Sequence, residues 1–312
     1  LLSNHILAVI LVSLVLYFVL NYIIIPYMSV HDYKKEGVFT YFFPITGVFN
    51  LWTSQVKSHG DFMAHSKTSS KRDPNQKYMV SNMTKYPLIF LRDPQYFREF
   101  LQKSHQYTKT QFLEFVKVLA GSGLVLKEGE TWKQHRKIIS GSFHYEFLKN
   151  NVRTVQETTR EFFDKLTPED YKDFAVIPRI QEITGEIVGR IFFGKNFSKH
   201  TFDGKPITLA LADIVSELCL AARTPPVMLF GHKVMRLPLF PTFNRLLARI
   251  HKFRQQCLSV IQERKKSSDK GKDFLASLLA TQESTDPTQR YEDEEIIDEF
   301  ITFFIAGMDT TG

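Results

Sequence analysis

The chain has 312 residues, 43% of them hydrophobic and 28 of them phenylalanine, which is enough to bury one large core or two smaller ones. Its formal net charge of +7 fits an acidic protein partner or an anionic membrane surface. No run of Arg and Lys with interleaved aromatic residues is present, so nucleic acid is the least favoured partner. The two cysteines, Cys219 and Cys257, lie far apart without metal-ligand spacing, which argues against a disulfide framework and a zinc site.

The N-terminal segment reads as a membrane anchor. Residues 6–25 are twenty residues without a charge, about the length that crosses a hydrocarbon core as a helix. A cleaved signal peptide and a buried core helix are the alternatives, but the run is long for a signal segment and no small-residue cleavage site follows. We predict one transmembrane anchor over residues 1–30. Lys34 and Lys35 after it place the following domain in the cytosol by the positive-inside rule.

The remaining chain predicts a mainly α domain with a small β-sheet. A linker over 31–50 leads to a domain over 51–312, which begins with a helix near Leu51 to His65. Residues 78–92 predict two short strands around a turn at Asn82. Asp93 then caps a helix whose first residue is Pro94. We expect helices near 94–103, 130–140, 145–166, 178–193, 207–222, 241–266, 273–281 and 291–312.

A tryptophan and an arginine form the first constellation that could carry chemistry. Trp132 and Arg136 are four residues apart on a predicted helix and therefore share a face. An indole N–H beside a guanidinium suits an anion such as a carboxylate, although the arginine could equally stack on the indole. Lys133 and Lys137 form a second pair, rotated by about 100° around the helix.

The last segment of the chain, EDEEIIDEFITFFIAGMDTTG, is the second constellation. Its acidic start suits the positive end of a helix dipole, and the apolar run after it predicts a buried helix. Ala306 and Gly307 would make a notch beside Asp309 and Thr310, where a flat cofactor could pack and protons could pass. A simple helix C-cap is the alternative interpretation of the same residues.

Together, and in this order, these segments resemble the cytochrome P-450 superfamily of haem-thiolate monooxygenases. The resemblance covers nearly the whole chain and includes the anchor and its Pro-x-x-Gly entry. It rests on KYPLIFLRDPQYFREFL (85–101), GSGLVLKEGETWKQHRKIISGSFH (121–144), IVGRIFFGKNF (187–197), DFLASLL (273–279) and AGMDTT (306–311). The last of these resembles the oxygen-activation motif of the family's central helix.

The resemblance implies a haem b cofactor and a role for each site residue. Trp132 and Arg136 would bind a haem propionate, and Ala306 and Gly307 would leave room for dioxygen above the ring. Asp309 and Thr310 would be catalytic, the acid relaying protons and the hydroxyl hydrogen-bonding the dioxygen.

Substrate and electron supply are implied in the same way. Thr302 and Ile305 would face a lipophilic substrate, and the region around Phe112, Phe115 and Leu119 resembles a substrate-recognition loop. A flavoprotein reductase that uses NADPH would dock near Lys133 and Lys137. The family's microsomal type implies a single-pass protein of the endoplasmic reticulum.

The family's motif that contains the cysteine ligand of the haem iron has no counterpart in residues 1–312. Neither Cys219 nor Cys257 has a matching neighbourhood, so the resemblance implies that the axial cysteine lies beyond Gly312. It also implies that the chain is an N-terminal piece, inactive by itself. Two alternatives stay open. One is a haem-thiolate enzyme that isomerises peroxides, and the other is a membrane-anchored helical protein without catalysis.

Overall fold

A computed structural model describes residues 2–50, 57, 58, 60, 75–109, 114–194, 200–267, 271, 273–286 and 290–311. The side chains of residues 2–4, 104 and 309 lie outside this description. The chain forms two compact units, residues 1–107 and 108–312. The anchor, linker and domain boundaries inferred from the sequence remain predictions. The helix expected near Leu51 to His65 falls largely outside the described residues.

The first unit begins with a long apolar helix. An α-helical segment α1 (Leu2–Val19) runs through a π-helical turn (Leu20–Ile24) into α2 (Ile25–Lys35). Residues 5–35 make a helix long and apolar enough to cross a membrane. The helix therefore continues past residue 30, and the first five residues of the predicted linker are helical.

A proline explains the π-helical turn. Pro26 has no N–H, so it cannot donate to the carbonyl of Tyr22 four residues earlier. The amide of Ile25 bonds to Leu20 five residues back, which widens the helix at this point. The carbonyl of Tyr22 accepts instead from the amide of Ile45, at 3.3 Å. Ile45 has a φ of 67°, an uncommon conformation for a β-branched residue.

A three-stranded sheet completes this unit together with one helix. Strands β1 (Thr40–Tyr41) and β2 (Tyr78–Met83) are parallel, and β2 pairs antiparallel with β3 (Tyr86–Leu91). Helix α3 (Pro94–Gln102) follows, capped by Asp93 as predicted, whose carboxylate accepts from the amides of residues 95 and 96. The sheet is small, as the sequence indicated.

The turn predicted at Asn82 is wrong. Met83 pairs with Tyr86, so the two-residue turn lies at Thr84 and Lys85, and Asn82 is a strand residue. Its buried side chain accepts from the Phe43 amide (3.1 Å) and donates to the Phe43 carbonyl (2.9 Å). Asparagine is common in turns, but here its amide group substitutes for a backbone pairing partner.

The second unit is almost entirely helical. Its helices are α4 (Lys117–Ala120), α5 (Gly129–Ser140), α6 (Tyr145–Asp164), α7 (Val176–Phe193), α8 (Ile207–Ala222), α9 (Pro225–Phe230), α10 (Pro241–Lys266), α11 (Phe274–Thr281) and α12 (Asp293–Asp309). A two-stranded hairpin, β4 (Thr201–Phe202) and β5 (Lys205–Pro206), precedes α8. The longer helices were predicted to within a few residues at each end. The short α4 and α9 and the hairpin were missed.

Helix α12 lies at the centre of this unit. It packs against α4, α7, α8, α10 and α11. Its apolar residues Phe300, Ile301 and Phe304 are at most 1% exposed, which confirms the buried helix predicted from the apolar run. Phe143, just after α5, contacts the ring of Phe303 in α12 and thereby joins the end of α5 to this core.

Candidate functional site

The first turn of α12 is fixed by side chains from three directions. Glu292 is the N-cap and forms a capping box with Glu295. The carboxylate of Asp293 is bound by Lys265 of α10 and by the side-chain amide of Gln282. Burial raises the pKa of Asp293, but hydrogen bonds from Lys265 and Gln282 outweigh it and hold the pKa below its usual value.

Two buried acids of α12 hold the turn between α4 and α5. Asp298 accepts from the amide of Ser122 at 2.6 Å, and Glu299 accepts from the amide of Leu124 at 2.9 Å. The carboxylate of Asp298 also binds Arg254 of α10 at 2.8 Å. Sequence reasoning missed both acids. The only available signal was a pair of acidic residues inside an otherwise apolar helix.

The predicted anion-binding pair stands exposed on α5. Trp132 is 37% exposed, and Arg136 is exposed one turn further along the same face. Within the described residues, neither the indole N–H nor the guanidinium has a hydrogen-bond or ion-pair partner. The stacking of arginine on indole, which was the simpler interpretation, is also not observed there. Two unused donors on one face fit an anionic ligand group such as a propionate.

The two lysines of α5 differ from each other. Lys133 bonds to Glu130 at 2.5 Å, an exposed pair within the first turns of the helix. Lys137 is exposed without an acidic partner among the described residues. The pair therefore presents one compensated charge and one uncompensated charge to solvent.

The open end of α12 carries the alanine and the threonine of the motif. Ala306 is exposed although most of the helix before it is buried. The hydroxyl of Thr310 donates to the carbonyl of Ala306 at 2.6 Å, so the two residues form one unit on this face. Glu299, Ala306 and Thr310 share the helix face that begins beside α5, because offsets of seven and eleven residues return to the same side.

Gly307 and Thr302 point towards neighbouring protein segments. A Cβ on Gly307 would lie 2.6 Å from Val188 Cγ2, so the close packing of α12 on α7 is sufficient to require glycine there. Thr302 is 8% exposed and lies against Gly123, where a Cβ would overlap its hydroxyl. The side chain of Thr302 thus does not face the open surface beside Ala306, and the α-carbon of Gly307 faces α7.

The structure describes only some of the remaining residues that were predicted to contact substrate or to relay protons. Ile305 is partly buried and packs against the core of the second unit. Phe115 is partly buried and Leu119 is fully buried in the same core. The side chain of Asp309 and the whole of Phe112 lie outside the described residues, so their predicted roles stay predictions.

The two cysteines differ in their surroundings. Cys257 is completely buried in α10, and burial raises the pKa of its thiol, so the ligating thiolate is strongly disfavoured. Cys219 is partly exposed on α8. Among the described residues, no group of three or more His, Cys, Asp or Glu side chains could hold a metal ion. Among the described residues, the exposed donors of Trp132 and Arg136 fit the propionate end of a haem.

Comparison with known proteins identifies the family. A family model for cytochrome P450 matches residues 45–312. Cytochrome P450 734A1 of Arabidopsis thaliana is 29% identical over 239 residues, which are 72% of this chain and 42% of that protein. Echinocystic acid 23-monooxygenase of Saponaria officinalis is 29% identical over 243 residues, 72% of this chain and 44% of the relative. The chain thus spans less than half the length of these relatives.

Solved structures agree with this assignment. The crystal structure of the cytochrome P450DA heme domain has a TM-score of 0.65 to this chain at 20% identity. The similarity covers 82% of this chain and 54% of that one. It confirms the predicted fold, mainly helical with a small sheet. With the family model covering all but the first residues, the chain belongs to the cytochrome P450 family.

Proposed function

We propose that the complete protein containing this chain is a haem-dependent monooxygenase that inserts one atom of dioxygen into a lipophilic substrate. The observation that carries the proposal is the pair of helices α5 and α12. One presents the unpartnered donors of Trp132 and Arg136, and the other ends in the exposed unit of Ala306 and Thr310. When bound, the haem would supply the activation of dioxygen.

Trp132 and Arg136 would hold the cofactor by one of its propionates. A guanidinium forms strong, charge-assisted hydrogen bonds with a carboxylate, and the indole N–H adds a neutral donor from the same side. Since neither group has a competing partner within the described residues, no existing ion pair must break. We assign Ala306 to the same site because a methyl group leaves space for a flat ring above α12.

Thr310 would deliver a proton, with Asp309 as the relay. The hydroxyl donates to the Ala306 carbonyl in this structure. Rotated away from that carbonyl, it could give its proton to the reacting oxygen and take another from Asp309. Gly307 would serve the site indirectly, by letting α12 lie close to α7. Ile305 would line the substrate space, and Thr302 would contribute by fixing the turn at Gly123.

The presence of Asp309 and Thr310 favours the monooxygenase over a peroxide isomerase, because isomerising a peroxide requires no external protons. The substrate is proposed only as lipophilic. Two relatives at 29% and 25% identity are named echinocystic acid 23-monooxygenase and 11-oxo-beta-amyrin 30-oxidase. These names describe those proteins.

Haem binding can be tested on this chain through tryptophan fluorescence. In a Trp52→Phe background, Trp132 is the remaining tryptophan of the chain. Added hemin should quench its emission with saturation, and Arg136→Gln should weaken binding about tenfold, as expected for one charge-assisted hydrogen bond. Arg153→Gln, an exposed arginine on α6, is the matched control. Equal affinity in the Arg136 and Arg153 variants would refute the propionate assignment.

Proton delivery can be tested in the complete protein. Thr310→Ala should leave substrate binding nearly unchanged, because alanine is the better helix former. Loss of general-acid assistance, typically about 10²- to 10⁴-fold, should divert reductant into hydrogen peroxide. The measurement is the ratio of hydroxylated product to reductant consumed, with Thr311→Ala as the control. An unchanged ratio in folded Thr310→Ala would remove the catalytic role.

The proposed electron donor is a flavoprotein reductase that uses NADPH and docks at Lys133 and Lys137. The double change to glutamate should slow reductase-driven turnover and weaken its salt dependence, because charge complementarity steers docking. Peroxide-driven turnover, which bypasses the reductase, should remain. Equal loss in both assays would indicate that the lysines support the fold.

We further propose a single-pass location in the endoplasmic reticulum membrane with the domain in the cytosol. The native sequon at Asn82 cannot report this topology, because its side chain is buried and hydrogen-bonded. Glu169→Asn with Tyr171→Thr would create a sequon on an exposed turn after α6. This sequon should stay unmodified in microsomes, and a glycosidase-sensitive mass increase would contradict the cytosolic placement.

A further inference from the structure

A buried histidine lies between two carboxylates where α5 meets α12. His135 is 7% exposed, and its Nδ1 lies 3.6 Å from Glu299 Oε1. Its Nε2 lies 3.6 Å from Glu295 Oε1. The Nδ1 of His135 and the Oε1 of Glu299 are both fully enclosed without a hydrogen-bond partner. Buried polar atoms rarely remain unsatisfied, so this pair requires an explanation.

The geometry favours the doubly protonated ring. A carboxylate only accepts hydrogen bonds, and a neutral imidazole has one donor and one acceptor nitrogen. With a carboxylate oxygen on each side, the neutral ring would direct a lone pair at one of them. The imidazolium offers a donor to both Glu295 and Glu299.

The charges around His135 support the same conclusion. Lys127 lies 3.3 Å from Glu295 Oε1, and Arg254 binds Asp298 at 2.8 Å. Glu299, which is completely buried, has no lysine or arginine among its described ion pairs. Tyr291 packs edge-on against the His135 ring at 4.4 Å, and burial raises the pKa of its phenol, so it stays neutral. An imidazolium therefore gives three buried or half-buried cations for three such acids: Lys127, His135 and Arg254 against Glu295, Asp298 and Glu299.

We propose that the His135 imidazolium, held between Glu295 and Glu299, is a positioning residue that fixes the anion-binding face of α5 against α12. His135 follows Trp132 by three residues and precedes Arg136 by one, so its anchorage sets the rotation of α5 about its own axis. Loss of the proton leaves Glu299 as an unpaired buried charge and releases this contact. The consequence for cofactor binding rests on the function proposed above, whereas the ion pair itself does not.

The ion pair can be tested without cofactor, in the Trp52→Phe chain held in detergent micelles. Emission of Trp132 is recorded across the histidine range, about pH 5 to 9. We expect one transition, which His135→Phe abolishes because the phenyl ring keeps the packing on Tyr291 but has no proton to lose. Glu299→Gln should lower the midpoint of this transition, since a nearby opposite charge favours the protonated form. His251→Gln, an exposed histidine on α10, should leave it unchanged.

Persistence of the transition in His135→Phe, or an unshifted midpoint in Glu299→Gln, would overturn the proposal. If Glu299→Gln does not fold, Glu295→Gln serves in its place, because that carboxylate is one-third exposed and should give a smaller shift of the same sign. An unshifted midpoint there would also overturn it.

Hemin titration of the same variants tests the positioning role. His135→Phe should bind hemin about tenfold more weakly than the background, as when a partner that orients a ligating group is lost. Arg136→Gln should also bind weakly yet keep the pH transition. Equal hemin affinity in His135→Phe and in the Trp52→Phe chain would mean that the ion pair does not position α5, and it would overturn the positioning role of His135. Absence of hemin binding in every variant, with the transition behaving as expected, would refute the proposed function and support the ion pair.

Discussion

The chain contains two long apolar helices with opposite surroundings. The helix formed by α1 and α2 exposes large apolar side chains such as Leu11, Val15 and Leu16. Helix α12 buries its apolar residues and also carries Asp298, Glu299 and Thr302 inward. An exposed apolar helix without inward polar groups suits lipid, whereas buried acids need protein partners. Inward polar residues, more than hydrophobicity itself, distinguish α12 from the helix that we propose crosses a membrane.

Both helices also contain a backbone carbonyl that accepts a hydrogen bond from a donor other than a backbone amide of the same helix. The Tyr22 carbonyl accepts from the amide of Ile45 because Pro26 cannot donate. The Ala306 carbonyl accepts from the hydroxyl of Thr310. In the first case, the hydrogen bond from Ile45 replaces the one that Pro26 cannot donate, and it links the helix to a loop of the same unit. In the second case the extra donor positions a hydroxyl at the exposed end of α12.

Removing the cation that pairs with the buried Asp298 of α12 should have the largest effect. Arg254→Met leaves Asp298 without its ion-pair partner, and breaking a buried pair on one side costs about 3 kcal/mol. We expect the free energy of unfolding in urea, followed by circular dichroism, to fall by this amount. Adding Asp298→Asn should recover part of the loss, since the unpaired charge is removed.

The matched control is an arginine in an exposed pair on α6. Arg153 bonds to Glu157 at 2.7 Å, with the arginine side chain 85% exposed. Arg153→Met should change the free energy of unfolding by less than about 0.5 kcal/mol. Similar losses in the Arg153 and Arg254 variants would show that burial of the acids does not distinguish α12.

The close approach of α12 to α7 gives a smaller expected effect. Gly307→Ala would place a Cβ 2.6 Å from Val188 Cγ2, and overpacking of this kind costs about 1–3 kcal/mol. The higher helix propensity of alanine offsets about 1 kcal/mol of this cost, so we expect the free energy of unfolding to fall by about 1 kcal/mol. Combined with Val188→Ala, the two changes should cost less than the sum of the single changes. Strict additivity would contradict the contact.

The sequence predicted the helices of this fold better than it predicted the site. Local signals set the helix boundaries: Asp93 caps α3, and Pro241 begins α10. The burial of Asp298 depends on the amide of Ser122, which is 176 residues away in the chain. No local pattern reports such a partner, so the sequence assigned no role to Asp298 or Glu299. That Trp132 and Arg136 share one face followed from their spacing, because the face of a helix is a local property.

Acid sensitivity should reveal the pairing at the first turn of α12. The lowered pKa of Asp293 means that its ionised form stabilises the folded chain above the unfolded pKa, about 3.9, and that this contribution is lost as the pH falls through the folded value. Asp293→Asn should therefore cost about 0.5 kcal/mol at pH 7, a value reduced by partial exposure. The difference from the unaltered chain should begin to fall near the unfolded pKa, and it should vanish in urea titrations at pH values below the folded pKa. A difference in the free energy of unfolding that stays constant at all pH values would mean that the shape of the Asp293 side chain, and not its charge, causes the loss of stability.

The smallest effect is expected at Pro26, in the apolar helix formed by α1 and α2. Pro26→Ala supplies the missing N–H, so the Tyr22 carbonyl regains a helical donor and no longer depends on Ile45. Global stability should change little, because one hydrogen bond replaces another. The amide of Ile45 loses its acceptor, and the positive φ of this residue loses its restraint, so hydrogen exchange at Ile45 should accelerate. Ile25→Ala, an adjacent exposed residue with its own N–H, is the control and should leave that exchange unchanged. Equal exchange at Ile45 in both variants would mean that Pro26 does not link this helix to the loop, and the parallel between the two carbonyls would then fail.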